Sequence, residues 1–322
     1  MTYSRPWLSF TDQLALLKTR GLHVTDEPAA LRHLERIGYY RLSAYSYPFR
    51  IFDLQQDTTT GRIAAVRKDN FVPNTEFVDA VNLYLFDKKL RLLVLDALER
   101  IEVAVRVDIA YLLGQRDTFA HHHINQFHPT FANKTGKNGH TRFDEWLTKY
   151  TELVNRSKED FVEHYRNKHG NDLPIWVAIE VWDFGVMSQL FAMMRIKDQD
   201  QIAQKYGLND GQVFQSWLRS MNYLRNLVAH HSRLWNRNII DQPKLPARGA
   251  LAWCDSFIGK PDMLAKPFLL VAICRHMVHT INPATQWQER LRMHLRDFPQ
   301  QHSDLKRSVQ DMGAPIDWET WW

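Results

Sequence analysis

Residues 74–114 read "NTEFVDAVNLYLFDKKLRLLVLDALERIEVAVRVDIAYLLG". Phe77, Val81, Leu85 and their successors return at three- and four-residue spacing, which is the period of an α-helix seated on an apolar core. The pattern holds for about ten turns. Asn74 or Thr75 can cap its start and Gly114 its end. One helix of this length sets the scale for everything packed against it.

Working outward, the same periodicity predicts helices at 9–20, 27–38, 142–168, 174–194, 198–206, 210–236, 265–281 and 284–297. Strand signals are confined to a short hairpin around 49–68. "HPTFANKTGKNGHTRF" (128–143) reads as a loop, and "NRNIIDQPKLPARG" (236–249) as an irregular connection. The expected class is all-α, with long helices packed as a bundle. The organisation read from this is an N-terminal helical region with the hairpin (1–70), a helical core (71–240) and a helical extension packed on that core (241–322). The tail "APIDWETWW" ends in two tryptophans, which are expected to dock rather than stand in solvent.

Composition narrows the partners without naming one. The chain has 322 residues, a net charge of +5 and 44% hydrophobic residues. That is a folded, mildly basic protein, which permits a polyanionic partner. Two cysteines, Cys254 and Cys274, supply neither a disulfide framework nor a thiolate zinc site. The N-terminus lacks the apolar run of a signal peptide, and the most apolar stretch (173–194) is interrupted by Glu180 and Asp183. A soluble cytoplasmic protein is expected, with no membrane partner and no cofactor.

The basic excess gathers in "SMNYLRNLVAHHSRLWNR" (220–237), which carries Arg225, Arg233, Arg237, His230 and His231 and no acidic residue. Read as continuous helix, Asn226 and His230 share a face that Arg233 and Arg237 continue. Arginine binds phosphate in a bidentate manner, histidine moves protons near neutral pH, and asparagine can orient either. No carboxylate cluster accompanies them to suggest Mg²⁺ ligation. The set suits RNA cleavage in which the substrate's own 2′-hydroxyl attacks the adjacent phosphorus. Spacing alone is weak support. Arg116 with His121 repeats it and Arg296 with His302 nearly does, both in or near loops.

Three stretches, "LERIGYYRLSAYSYPFR" (34–50), "LDALERIEVAVRVDIAYLLG" (95–114) and "LRNLVAHHSRLWNR" (224–237), occur in this order. Together they resemble the Abi-like abortive-infection proteins of bacteria (the AbiD/AbiF type), which belong to the HEPN superfamily. The resemblance covers roughly residues 10–240 and fits the C-terminal quarter less clearly. It implies a HEPN-type helical bundle with added N- and C-terminal helices, and a ribonuclease toxin of anti-phage defence. The superfamily's signature is arginine, a polar residue, then histidine after four to six positions. It maps onto Arg225, Asn226 and His230. The implied roles are phosphate stabilisation for Arg225, orientation for Asn226 and general acid or base for His230. His231 fits the looser spacing and can replace or assist His230. Such nucleases join two motifs in one composite site, so a homodimer is implied. A small non-coding RNA that restrains the toxin is also allowed.

Other groups keep two readings. Glu102 and Arg106 form an ordinary intrahelical pair, or they pack on the 220–237 segment and position its arginine or histidine. Tyr40, Arg41 and Arg50 stack and grip RNA, or they are core tyrosines with snorkelling arginines. Arg219, Arg233 and Arg237 are candidates for phosphate contacts. His121, His123 and His128 form a plain histidine loop or, less readily, a metal site. The alternative function is a non-catalytic protein that binds a structured small RNA. A third reading is a helical interaction protein whose Arg–His pair is vestigial.

Overall fold

The long helix is present, and its burial explains its length. The computed structural model describes residues 6–56, 63–136, 138–170 and 172–322. In order, these form α1 (Phe10–Thr19), α2 (Glu27–Ile37), α3 (Tyr39–Ser46), β1 (Arg50–Gln56), β2 (Ile63–Phe71), α4 (Phe77–Gly114), α5 (Pro129–Ala132), α6 (Arg142–Arg156), α7 (Asp160–His169), α8 (Ile175–Ala178), α9 (Phe184–Met193), α10 (Ile196–Lys205), α11 (Gly211–Ala229), α12 (Pro261–Leu264), α13 (Phe268–Ile281) and α14 (Trp287–Arg296). Along α4, Leu83, Leu90, Val94, Leu98, Ile101, Val105, Ile109 and Leu113 are all fully buried. Truncating any of them to alanine would cost about 2–5 kcal/mol. The class is all-α with one small antiparallel sheet, as the sequence predicts.

Caps and breaks differ from expectation in instructive ways. At the start of α4, the Glu76 backbone N–H donates to Asp79 Oδ2 at 3.0 Å. The Thr75 hydroxyl is engaged instead with the Val72 carbonyl and with Ser303. Gly114 is the last residue of α4, and a side chain there would be crowded: a Cβ would sit 3.2 Å from Ile175 and 3.3 Å from the Trp176 ring. The predicted 142–168 helix is two helices, parted at an extended Ser157 and Glu159. The 174–194 helix is broken before Asp183, whose side chain caps α9 by accepting from Val186 N at 2.8 Å. Pro267 separates α12 from α13. α3 falls in the tyrosine-rich stretch, where periodicity predicts no helix. The hairpin pairs Phe52 with Arg67 and Leu54 with Ala65; its turn, 57–62, lies outside the described residues.

Two compact units emerge. One takes the chain up to Arg91 together with Met293–Asp311, and the other takes Leu92–Arg292 together with Met312–Trp322. In the first, Tyr45, Asp87 and Arg91 form a closed buried set: Tyr45 donates to Asp87 at 2.5 Å, Arg91 pairs with the same carboxylate, and Arg91 donates to the Tyr45 oxygen at 3.1 Å. Burial beside that carboxylate pushes the Tyr45 pKa well above the usual phenol range. The segment after α14 is fastened to the start of α4. Asp79 accepts from the backbone of His302 and Ser303 and from the His302 ring, while Asn74 donates to Asp304.

In the second unit, α11 packs on α9, α10 and α13. The terminal tryptophans dock as expected. Trp318 is buried against Phe268, and Trp322 Nε1 donates to the Gln288 carbonyl at 3.0 Å. Cys254 and Cys274 are buried and unpaired. Among the described residues, no helix is long and apolar enough to cross a membrane.

Candidate functional site

α11 is built to offer one face. Asp210 caps it, accepting from Gln212 N at 2.7 Å. Phe214, Trp217, Leu218, Met221 and Leu224 bury the opposite side completely. At 100° per residue, Gln215, Arg219, Asn222, Asn226 and His230 fall within about an 80° arc. They form a polar row some 22 Å long at 1.5 Å per residue. Asn226 and His230 therefore do share a face, one turn apart.

The row stops there, which corrects the continuous helix expected to 236. α11 ends at Ala229, with His230 as its C-cap (φ −87°, ψ 14°). His231 has a left-handed backbone, φ 55°. Its N–H donates to the Val228 carbonyl, and Ser232 N–H donates to the Leu227 carbonyl. That is a Schellman closure, with histidine in the place where glycine is usual. Just beyond, Leu234 and Trp235 are fully buried, so the chain must leave the helical path to seat them. Arg233 and Arg237 consequently do not continue the Asn226–His230 row; both are half-buried after the turn. His231 is exposed but sits on the turn rather than on the helix.

Arg225, offset from the row, faces α4. Its Nη1 donates to Asn226 Oδ1 at 3.3 Å. Its charge also reaches Glu102, which is ion-paired to Arg106. Arg106 in turn donates to the Trp182 carbonyl. Burial raises the Glu102 pKa above the glutamate range, and the nearby Asp183 adds to that, while Arg106 and Arg225 pull it back. Glu102 and Arg106 are thus an i,i+4 pair, and Glu102 also lies in the field of Arg225. Asp183 and the Trp182 carbonyl escape the sequence reading of the site, although an Asp immediately ahead of an apolar run is a cap signal. Asn222 escapes it too; its one-turn spacing from Asn226 is the signal that finds it. Its amide and Asp183 both lie beside Gly185.

The remaining candidates lie elsewhere. Arg219 is on the row, in a loose exposed ion pair with Asp241 at 3.6 Å. Tyr40, Arg41 and Arg50 belong to the other unit. There Tyr40 is 79% exposed, whereas Arg50 is held by Asp69 at 3.1 Å and lies over the Tyr47 ring. His121 is buried beside Tyr150 and its pKa is lowered by burial to about 3, while His123 pairs with Asp117 at 2.5 Å. Among the described residues no group of three or more His, Cys, Asp or Glu is arranged to hold a metal ion.

No curated protein and no solved structure matches the chain. A family model, described as "Abi-like protein", matches residues 32–236, more than half of the 322. That match contains α4 and α11 entire, and with them Glu102, Arg106, Arg225, Asn226 and His230. The chain therefore belongs to the Abi-like protein family.

Proposed function

We propose that this protein is a metal-independent endoribonuclease toxin of the HEPN class, acting in the cytoplasm in abortive infection. The observation that carries the reading is the grouping of Arg225, Asn226 and His230 at the end of α11, with Arg225 in the field of Glu102. In this mechanism the 2′-hydroxyl of the RNA attacks the adjacent phosphorus. One imidazole takes the hydroxyl proton, a second protonates the departing 5′-oxygen, and the P–O5′ bond breaks to leave a 2′,3′-cyclic phosphate. Arg225 stabilises the charge on the non-bridging oxygens. Asn226 holds that guanidinium. His230 is the proton carrier, since it stands on the row and has no side-chain partner among the described residues.

Two proton carriers call for two copies of His230, supplied by a homodimer. An exposed apolar row on α4 supports this: Leu92, Leu95, Val103, Val107 and Tyr111 are 38–71% exposed and border the Glu102–Arg106 pair. Exposed apolar side chains gathered on one helix face in this way, here with Glu99 among them, mark association sites.

The test is cleavage of a mixed single-stranded RNA in EDTA by wild type and His230→Ala, with the wild-type mass taken by light scattering. Wild-type cleavage with cyclic ends, lowered about 10²–10⁴-fold by the substitution, from a protein of twice the chain mass, is the expected outcome. An inactive wild type that still holds RNA tightly would favour the non-catalytic RNA-binding reading instead.

A further inference from the structure

Beside the row on α11 lies a cleft of about 320 Å³, walled by α6, α9 and α11. Arg142, Glu145 and Lys149 line it from α6, Ser188 and Gln189 from α9, and Gln215 and Arg219 from α11. The volume falls at the lower end of small-ligand sites. Three cations face one carboxylate. The walls are firm: Trp146 Nε1 donates to the Val186 carbonyl at 2.9 Å, tying α6 to α9, and a Thr141–Asp144 capping box fixes the turn that carries Arg142.

The geometry points to this cleft as a subsite for one nucleotide of the RNA strand, its phosphate held by Arg142, Lys149 and Arg219. This rests on the nuclease reading above and gives it a substrate path. Gln215 and Arg219 belong to the same row as Asn226 and His230, and seven residues of helix place Arg219 about 10 Å from Asn226 along the axis. A strand whose scissile phosphate meets Arg225 and His230 thus runs down the row into the cleft within a few nucleotides. The cations are ready to take a phosphate. Among the described residues the Lys149 ammonium has one hydrogen bond, to Gln189 at 3.4 Å, and the exposed Arg219–Asp241 pair is of a kind worth little in water. The amides of Gln189 and Gln215 can both donate and accept, and Glu145 can accept from a 2′-hydroxyl or an exocyclic amine.

The test needs no cleavage. In a His230→Ala background, fluorescence anisotropy would follow a labelled single-stranded RNA dodecamer, with and without Arg142→Ala and Lys149→Ala together. Both side chains are exposed, so folding is not at stake, and a melting curve confirms it. The double substitution should weaken binding about tenfold and lower the salt slope by roughly one to two. Unchanged dodecamer affinity and salt slope would overturn the subsite while leaving the nuclease reading standing. Failure of the parent protein to bind the dodecamer at all would overturn both.

Discussion

Two of the carboxylate–arginine pairs that α4 carries sit in opposite surroundings. Asp87 and Arg91, then Glu102 and Arg106, are both carboxylate–arginine pairs at four-residue spacing. The first is shut away: its side chains are 0% and 6% exposed, and the Tyr45 hydroxyl closes it. The second is 14% exposed on each side, leaves Arg106 Nε without a partner among the described residues, and feels the charge of Arg225 from another helix. Spacing makes the pair, but surroundings decide whether it is a strut or part of a site. A closed pair holds helices together. An open one has capacity left over to position something else.

Removing one partner from each pair separates the two roles. Asp87→Ala leaves a buried arginine and tyrosine uncompensated and should cost about 3–5 kcal/mol in urea unfolding. A loss below about 1 kcal/mol would show that the first pair is no strut. Glu102→Gln should barely lower stability yet change its pH dependence. Burial raises the Glu102 pKa, so the folded chain keeps that proton to higher pH than the unfolded chain. Stability therefore declines as pH climbs from the ordinary glutamate range through the raised value, and the substitution should flatten that decline. If Glu102 positions Arg225, the same variant lowers kcat with KM nearly unchanged; equal loss of stability and activity would reduce it to a second strut. The smallest effect is expected at His231, whose left-handed backbone is strained. His231→Gly should raise the unfolding free energy by up to about 1 kcal/mol and leave cleavage intact, because His230 stands on the helix and His231 does not. Loss of cleavage would reverse that assignment.

Much of this is legible in the amino-acid order alone. α4 is plain because its apolar residues keep the helical period for its whole length. The motif is plain as three residue types at a spacing, and its resemblance points to the family that the match to residues 32–236 establishes. The end of α11 is not. "LVAHHSRLW" contains no glycine or proline to announce a stop, and the helix ends because Leu234 and Trp235 are drawn into the core. Likewise the company of Glu102 comes from residues 80 and more positions away, Asp183 and Arg225, which no local pattern links. Local chemistry can be read along the chain. Tertiary chemistry has to be seen.

The clasp at Asp79 has a consequence for how the protein is made. It joins the first turn of α4 to His302 and Ser303, residues that leave the ribosome more than two hundred positions later. At about 5–20 residues per second, that delay is on the order of 10–40 s. The N-terminal unit must wait, unclasped, until His302 and Ser303 have been made. A chain cut short before residue 300 would carry the whole Arg225–His230 motif and lack the clasp. Truncated products would thus be the first to be cleared by proteolysis.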